Sequence, residues 1–331
     1  MTHVQELAQL CAGRAVYIQT HNFPDPDALA TAFGLQRLLE GYGIQSTLTH
    51  EGQIDKLSSK KMLDYCGIEV HGYPSIKDQM SEDDLIIVVD AQKNSGNTTD
   101  IVGAEDACID HHPTFVEVEY KYSDLRICGA CASIIGSYYE EEGKGVPSDV
   151  ATALAYGIKM DTLQFSRGVT KFDIGVYQYL YDYVDESLLT KLETNNMEFD
   201  DLRAYAAAID SIKVYDTLGF SHIDFPCPDA MIAILSDFIL SLIEVETTVV
   251  YAVRPDGVKF SLRSERDDVN AGTMAHNVLS SCGNGGGHAV MAGGFVPKAK
   301  LEELGNYPFE VLEERFLAEY ERQIAEYAAQ D

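Results

Sequence analysis

The sequence predicts an α/β protein. Its N-terminal half should form a doubly wound, mainly parallel sheet, followed by a helical connector and a smaller C-terminal α/β unit. Three observations predict this. Strand-like and helix-like segments alternate through the first half, as βαβ units require. The run LIIVV at 85–89 is apolar without alternation, the pattern of a strand covered on both faces. After a polar stretch ending near residue 215, a fresh set of strand-like segments begins.

In chain order, RAVYIQT (14–20) is a strand and DALATAFGLQRLLEGYG (27–43) an amphipathic helix closed by glycines. IQSTLTH (44–50) is a second strand, DLIIVVDAQ (84–92) a third and DACID (106–110) a short fourth. Helices follow at ACASIIGSYYEEEG (130–143) and PSDVATALAYGIKMD (147–161). The domains divide as 1–185, a helical connector over 186–215, and 216–331. In the last of these, AMIAILSDF (230–238), TTVVYAV (247–253) and GVKFSLRS (257–264) are expected strands. A helix spans Ala271–Ser280, and CGNGGGHAVMAGGFV (282–296) is expected as a loop.

The chain has 331 residues, 46% of them hydrophobic and 23% charged, which suits globular domains and excludes disorder. Its 53 acidic side chains outnumber 24 basic ones, for a formal net charge of −29. Such a field repels long polyanions, whose binding depends on cationic contacts to phosphates. A long nucleic-acid duplex is therefore not an expected partner, and phosphates should be taken as small molecules in a local pocket. The same charge also serves solubility. No apolar run approaches the roughly 18 residues of a membrane span, and no secretory leader is evident, so a cytoplasmic setting without membrane partners is expected. Seven cysteines lack the even, dense spacing of a disulfide framework. Cys128 and Cys131 form a lone Cys-x-x-Cys without the second pair of a zinc site, and are expected to be small buried thiols.

The chemistry lies where strands and helices end. His21, Asp25 and Asp27 follow the first strand in HNFPDPD. Asp90 ends the apolar third strand, Asp110, His111 and His112 end the fourth, and Asp161 closes the apolar segment YGIKMD. One such aspartate would ordinarily be a helix cap or a loop residue. Four clusters of ligand-type side chains, all at termini that should face one crevice, are hard to explain that way. Five carboxylates grouped with these imidazoles suit two divalent ions such as Mn²⁺ or Mg²⁺, because without cations the carboxylates would repel one another strongly.

The order HxxxDxD, strand-terminal Asp, DHH, then Asp-Thr-x-x-Phe resembles the DHH phosphoesterase superfamily. The segment GNGGGHAVMAGG (283–294) resembles the GGGH loop of its DHHA1 domain. The resemblance implies that His21, Asp25 and Asp90 hold one ion and Asp27, Asp90, His111 and Asp161 the other, with Asp90 bridging. It implies catalytic parts for Asp90, for His112 beside the substrate phosphate, and for Asp110 as the group that orients an imidazole. Two divalent ions, Mn²⁺ or alternatively Mg²⁺, would activate a hydroxide for attack on phosphorus. Substrate contacts are expected at Arg263, Ser264, Gly285, Gly286, Gly287, His288 and Arg167. Glycines admit close approach of backbone amides to a phosphate, and an arginine can take a phosphate bidentately. The implied function is that of the bifunctional oligoribonuclease (nanoRNase) and 3′-phosphoadenosine-5′-phosphate (pAp) phosphatase group. Its substrates are very short RNA, cut to 5′-mononucleotides, or pAp, converted to AMP. A linear or cyclic dinucleotide phosphodiesterase, or a catalytically silent nucleotide-binding regulator, is the alternative. A homodimer is implied by resemblance alone. Pro26 and Ala30 replace glycines common in the first motif, Asn284 interrupts the glycine run, and AQKNSGNTT after Asp90 lacks an arginine often found there. These departures spare every ligand and fall in segments expected to touch substrate.

Overall fold

Val16–Gln19 and Leu85–Val89 bury every residue, and the first sheet grows outward from this central pair. The computed structural model describes residues 1–54 and 56–329. It divides into two compact units, Met1–Asn196 and Met197–Asp331.

The first unit runs α1 (His3–Cys11), β1 (Val16–Gln19), α2 (Pro26–Glu40), β2 (Ser46–His50), α3 (Leu57–Cys66), β3 (Val70–Gly72), α4 (Tyr73–Ile76), β4 (Leu85–Val89), β5 (Ala104–Asp110), β6 (Tyr122–Leu125), α5 (Cys131–Glu142), α6 (Ser148–Asp161), α7 (Lys171–Tyr181) and α8 (Glu186–Glu193). All six strands are parallel, in the order β3-β2-β1-β4-β5-β6. Successive strands step one way from β1 and the other way from β4. The order therefore reverses between β1 and β4, and ligands of such sheets bind beyond the carboxyl ends at that point. One face is covered by a large core drawn mainly from α2, α5 and α6, including Leu29, Leu35, Ile134, Tyr138 and Leu154. Tyr17, Ile76, Ile86, Val88 and Ile101 pack on the other face.

The second unit runs α9 (Asp201–Asp210), β7 (Lys213–Tyr215), β8 (Leu218–Ile223), α10 (Asp229–Leu240), β9 (Thr247–Arg254), β10 (Gly257–Ser264), α11 (Ala271–Leu279), β11 (Asn284–Gly287), β12 (Met291–Pro297), α12 (Lys298–Glu303) and α13 (Pro308–Ala328). Its sheet, β11-β12-β10-β9-β8-β7, is antiparallel except between β8 and β9. Alternation along β9 serves two cores. Val249 and Tyr251 meet α11 and α13, while Val250 and Ala252 meet α9 and α10.

Three expectations need correction. Residues 230–238 form helix α10, not a strand. Met231, Ile232, Leu235, Ser236 and Ile239 are buried with helical spacing, and Pro228 and Asp229 open the segment as a helix start. Residues 282–296 are not a loop: they contain β11 and β12. Two of their glycines permit close contacts that a Cβ would disturb: one on Gly285 would lie 2.4 Å from the Ala275 carbonyl oxygen, and one on Gly294 2.2 Å from Leu279 Cδ1. The stretch 186–215 is helical through α8 and α9 but ends in strand β7. The short strands β3 and β6 carry too few residues to register as apolar runs. Among the described residues no helix is long and apolar enough to cross a membrane.

Candidate metal centre

β1, β4 and β5 are neighbours in the sheet, so the residues that follow them meet at the switch point. His21 and Asp25 lie in the turn from β1 to α2, and Asp25 caps that helix, its Oδ1 accepting from Asp27 and Ala28 amides at 3.0 and 3.2 Å. Pro26 at the first helical position suits this entry. Asp27 is buried, and its carboxylate accepts from the backbone amides of Cys131 (2.7 Å) and Ala132 (2.9 Å) at the start of α5. That helix has no side-chain cap of its own, so Asp27 joins α2 to α5. Asp90 follows β4 with φ +56°, a left-handed conformation that Asp tolerates better than most residues. Asp161 is the last residue of α6.

Three groups of potential donor atoms result, each with its atoms within 4.8 Å of one another: His21, Asp25 and Asp90; Asp27, His111 and Asp161; and Asp90 with Asp110, His111 and His112. Asp90 stands between two imidazoles, Oδ2 at 3.6 Å from His21 Nε2 and Oδ1 at 3.3 Å from His111 Nε2. His111 Nε2 is also 3.3 Å from Asp161 Oδ2 and 3.9 Å from Asp27 Oδ2.

The donor chemistry fits divalent cations. His21 Nδ1 donates to the Asn22 carbonyl at 2.7 Å and His111 Nδ1 to the Cys128 carbonyl at 3.0 Å. A carbonyl can only accept, so each ring carries its proton there and, when neutral, turns a bare Nε2 lone pair toward carboxylates. Acceptors facing acceptors call for a cation. Asp90 Oδ1 is buried without a hydrogen-bond partner, as an unfilled ligand position would be. Among the described residues, the only basic side chains within 4.0 Å of Asp27, Asp90 and Asp161 are histidines.

Electrostatics record the same strain. Burial, then the charges of Asp90 and Asp161, push the Asp27 carboxyl well above the usual carboxylate range. Burial and Asp90 push Asp161 up to about 6. Burial opposes charging of His111, but Asp90, Asp27 and Asp161 outweigh it and carry the imidazole up to about 11. Without metal, protons do the neutralising.

His112 stands at the edge of this cluster, its Nδ1 3.9 Å from Asp90 Oδ1. Its Nδ1 donates to Asp110 Oδ1 at 2.8 Å, and its side chain is 50% exposed. Asp110 is fully buried and takes a second hydrogen bond from Gln92 Nε2 at 2.8 Å. Gln92 also reaches the His112 carbonyl at 3.1 Å, so it braces both partners, a part that no sequence motif marks. A left-handed turn at Leu163, Gln164 and Phe165 follows Asp161 and returns the chain so that Arg167 Nη2 meets the Asp161 carbonyl at 3.4 Å.

The other substrate candidates lie in the second unit. Arg263 is held by Asp237 Oδ1 at 2.6 Å and by Ser261 and the Leu262 carbonyl, and its side chain is 12% exposed. Ser264 is buried beside Thr247 and the Arg266 amide. Gly285, Gly286 and Gly287 form β11, with His288 exposed just after it. The glycines differ in kind. A Cβ on Gly285 would strike the Ala275 carbonyl of α11 at 2.4 Å, whereas one on Gly286 would meet nothing within 4 Å. Gly285→Ala should therefore destabilise by about 1–3 kcal/mol. Gly286→Ala should stay within about 0.5 kcal/mol. Urea unfolding of the two variants measures the contrast.

Cys131 Sγ contacts the Ile109 carbonyl at 3.4 Å and Cys128 Sγ the Ala130 carbonyl at 3.3 Å. Burial drives the Cys128 thiol up to about 12, and Cys131 well above its ordinary value. Both are protonated packing groups rather than reactive thiolates.

A parallel sheet with acids and imidazoles gathered at its switch point defines an α/β domain with a candidate site for divalent metal ions. Residues 15–158 match the DHH family N-terminal domain, and residues 193–314 match the DHHA1 domain. The chain belongs to the DHH phosphoesterase superfamily and carries the DHHA1 domain of one of its branches. It is 29% identical over 282 residues to an uncharacterized protein of Methanocaldococcus jannaschii, covering 85% of this chain and 57% of that protein. It is 26% identical over 174 residues to a probable manganese-dependent inorganic pyrophosphatase of Bacillus cereus, covering 51% of this chain and 55% of that one. The chain thus spans little more than half the length of these curated relatives. An exopolyphosphatase-related protein from Bacteroides fragilis has the same fold, with a TM-score of 0.79, 16% identity and 97% coverage of both chains.

Proposed function

We propose that this DHH-family phosphoesterase hydrolyses small nucleotide phosphate esters: very short oligoribonucleotides to 5′-mononucleotides, pAp to AMP, or both. The observation that carries the hydrolytic reading is Asp90, a buried carboxylate with an unpartnered oxygen that turns one oxygen to each of two imidazoles. His21, Asp25 and Asp90 would hold one divalent ion, and Asp27, Asp90, His111 and Asp161 a second. Mn²⁺ is favoured over Mg²⁺ because the similar B. cereus protein is named manganese-dependent. When bound, such ions supply positive charge for phosphoryl oxygens and make water acidic near neutral pH.

The chain's own groups do the rest. Nδ1–H bonds to backbone carbonyls fix the His21 and His111 tautomers and aim both Nε2 atoms. Asp110 holds His112 by Nδ1, and that hydrogen bond outweighs burial and favours the imidazolium, whose half-exposed Nε2–H can donate a proton or hydrogen bond to a phosphoryl or leaving oxygen. His112→Gln should lower kcat by about 10²–10⁴-fold. Bound metal, measured by elemental analysis, should be unchanged. Arg167, Arg263, Ser264, the 285–287 glycines and His288 are proposed substrate contacts. Arg263 would first have to leave Asp237 or share it. The net charge of −29 favours substrates with few phosphates.

Inorganic pyrophosphate is the second reading, supported by the pyrophosphatase relatives, whose similarity covers about half of this chain. The test is a substrate panel with Mn²⁺: a 5′-phosphorylated RNA dinucleotide, pAp, a cyclic dinucleotide and pyrophosphate, with products separated by chromatography. Turnover of either of the first two supports the proposal. Cleavage of the cyclic dinucleotide alone, or of pyrophosphate alone, replaces the proposed substrate. Nucleotide binding without any turnover makes the protein a regulator.

A further inference from the structure

Asp173 is fully buried on α7, outside the donor cluster. It belongs to the capping box that starts this helix, accepting from the Thr170 amide at 2.7 Å and the Thr170 hydroxyl at 2.6 Å. A capping box needs nothing more. Yet Asp173 Oδ1 also takes the Ser133 hydroxyl at 2.6 Å, and its Oδ2 takes the Gly129 amide at 2.8 Å. That amide belongs to the same peptide group as the Cys128 carbonyl, the acceptor for His111 Nδ1–H at 3.0 Å. One peptide therefore joins the two: carboxylate to N–H, C=O to imidazole.

A second observation shows that this approach is built in. A Cβ on Gly129 would lie 2.7 Å from Thr162 Cγ2 and 2.9 Å from Asp173 Oδ2. Only glycine lets the carboxylate reach the peptide undisturbed. His21 provides an internal comparison. Its Nδ1 also bonds a backbone carbonyl, that of Asn22, but the amide of that peptide, Phe23 N–H, donates to the neutral Glu51 carbonyl at 3.2 Å. Hydrogen bonds in series polarise one another, and those to an ionised acceptor are the stronger ones.

We propose that Asp173 is a positioning residue for His111, acting through the Cys128–Gly129 peptide as a buried carboxylate acts directly on a metal-binding histidine. It makes the Cys128 carbonyl a stronger acceptor, locks His111 in the Nδ1–H tautomer and raises the donor strength of Nε2. The inference rests on His111 being a metal ligand, but its first test does not require metal. In metal-free, ¹⁵N-histidine-labelled protein, Asp173→Asn should move the His111 Nδ1–H resonance upfield and leave that of His21 in place. Ser133→Ala, which removes a different Asp173 hydrogen bond, should cost stability and leave the His111 resonance unmoved. One of the bound Mn²⁺ ions, the one His111 would hold, should then bind about 10-fold less tightly in Asp173→Asn, the low end of the effect for groups behind a metal ligand.

A folded Asp173→Asn protein with an unmoved His111 resonance overturns the proposal, as does a Ser133→Ala protein that shifts it equally. If Asp173→Asn does not fold, the wild-type protein decides. Added Mg²⁺ must move the Gly129 amide proton together with His111 Nδ1–H, and an unmoved Gly129 overturns the relay. Failure of wild-type protein to bind Mn²⁺ or Mg²⁺, with the His111 shift present in Asp173→Asn, overturns the metal centre and keeps the relay.

Discussion

Asp90→Asn should lower the proposed phosphoester turnover by on the order of 10³-fold or more. A divalent ion supplies several kcal/mol of charge stabilisation at a phosphoryl group. Each 1.36 kcal/mol lost is a factor of ten in rate. Among the described residues Asp90 is the one carboxylate facing both imidazoles, 3.6 Å from His21 Nε2 and 3.3 Å from His111 Nε2, so its loss should weaken both proposed sites together. Asn is the informative replacement. It keeps the volume and tolerates the left-handed backbone at φ +56°, where Ala would add strain. Asp25→Asn, by contrast, touches one proposed site and keeps its cap on α2 through the remaining oxygen, so it should cost less. The two variants assayed over a Mn²⁺ concentration series, with circular dichroism to confirm folding, test the difference.

The second large effect is on stability. Added Mn²⁺ should raise the melting temperature strongly at pH 7.5 and weakly at pH 5. Ligand at 100 times its dissociation constant stabilises a folded protein by about 2.7 kcal/mol. The pH dependence follows from Asp161 and Asp27, whose folded values lie above their unfolded ones. A carboxylate with a raised value holds its proton longer in the folded protein than in the unfolded chain. The metal-free fold therefore loses stability as pH rises from about 4, the unfolded carboxylate value, through about 6, where folded Asp161 ionises. Metal needs the ionised carboxylates and a neutral His111, so its stabilisation grows over this interval with the opposite slope and goes on growing above it, because His111 holds its proton up to about 11. Binding near pH 6 should release protons, which calorimetry in two buffers of different ionisation enthalpy detects. Metal stabilisation that is the same at pH 5 and 7.5 would contradict this electrostatic account.

Much of the first unit was legible because its chemistry interrupts apolar patterning. Asp90 ends a fully apolar strand, and Asp110, His111 and His112 end the next, so the polar residues stand out where parallel strands stop. The sheet order then brings those ends together. The second unit was harder to read. Residues 230–238 are apolar enough to pass for a strand, and their helical period shows only once the buried positions are known. Gly285 and Gly294 in its last two strands lie where a Cβ would strike Ala275 or Leu279 of α11, a tertiary fact with no local trace. The residues that orient the candidate site were the least legible. Gln92 acts on a side chain 18 residues away, and the Asn22 and Cys128 contributions come from backbone carbonyls, which residue identity does not encode. Asp173 was hidden for a further reason: its place at a helix start already has an ordinary use.

Asp90 is proposed to organise a paired metal centre. Equilibrium dialysis against Mn²⁺, with bound metal counted by elemental analysis and its coupling read by electron paramagnetic resonance, tests this pairing. Two ions per chain with the spectrum of an interacting pair are expected, and at most one, uncoupled, in Asp90→Asn. A single isolated ion in the wild-type protein, or a coupled pair that survives Asp90→Asn, would contradict it.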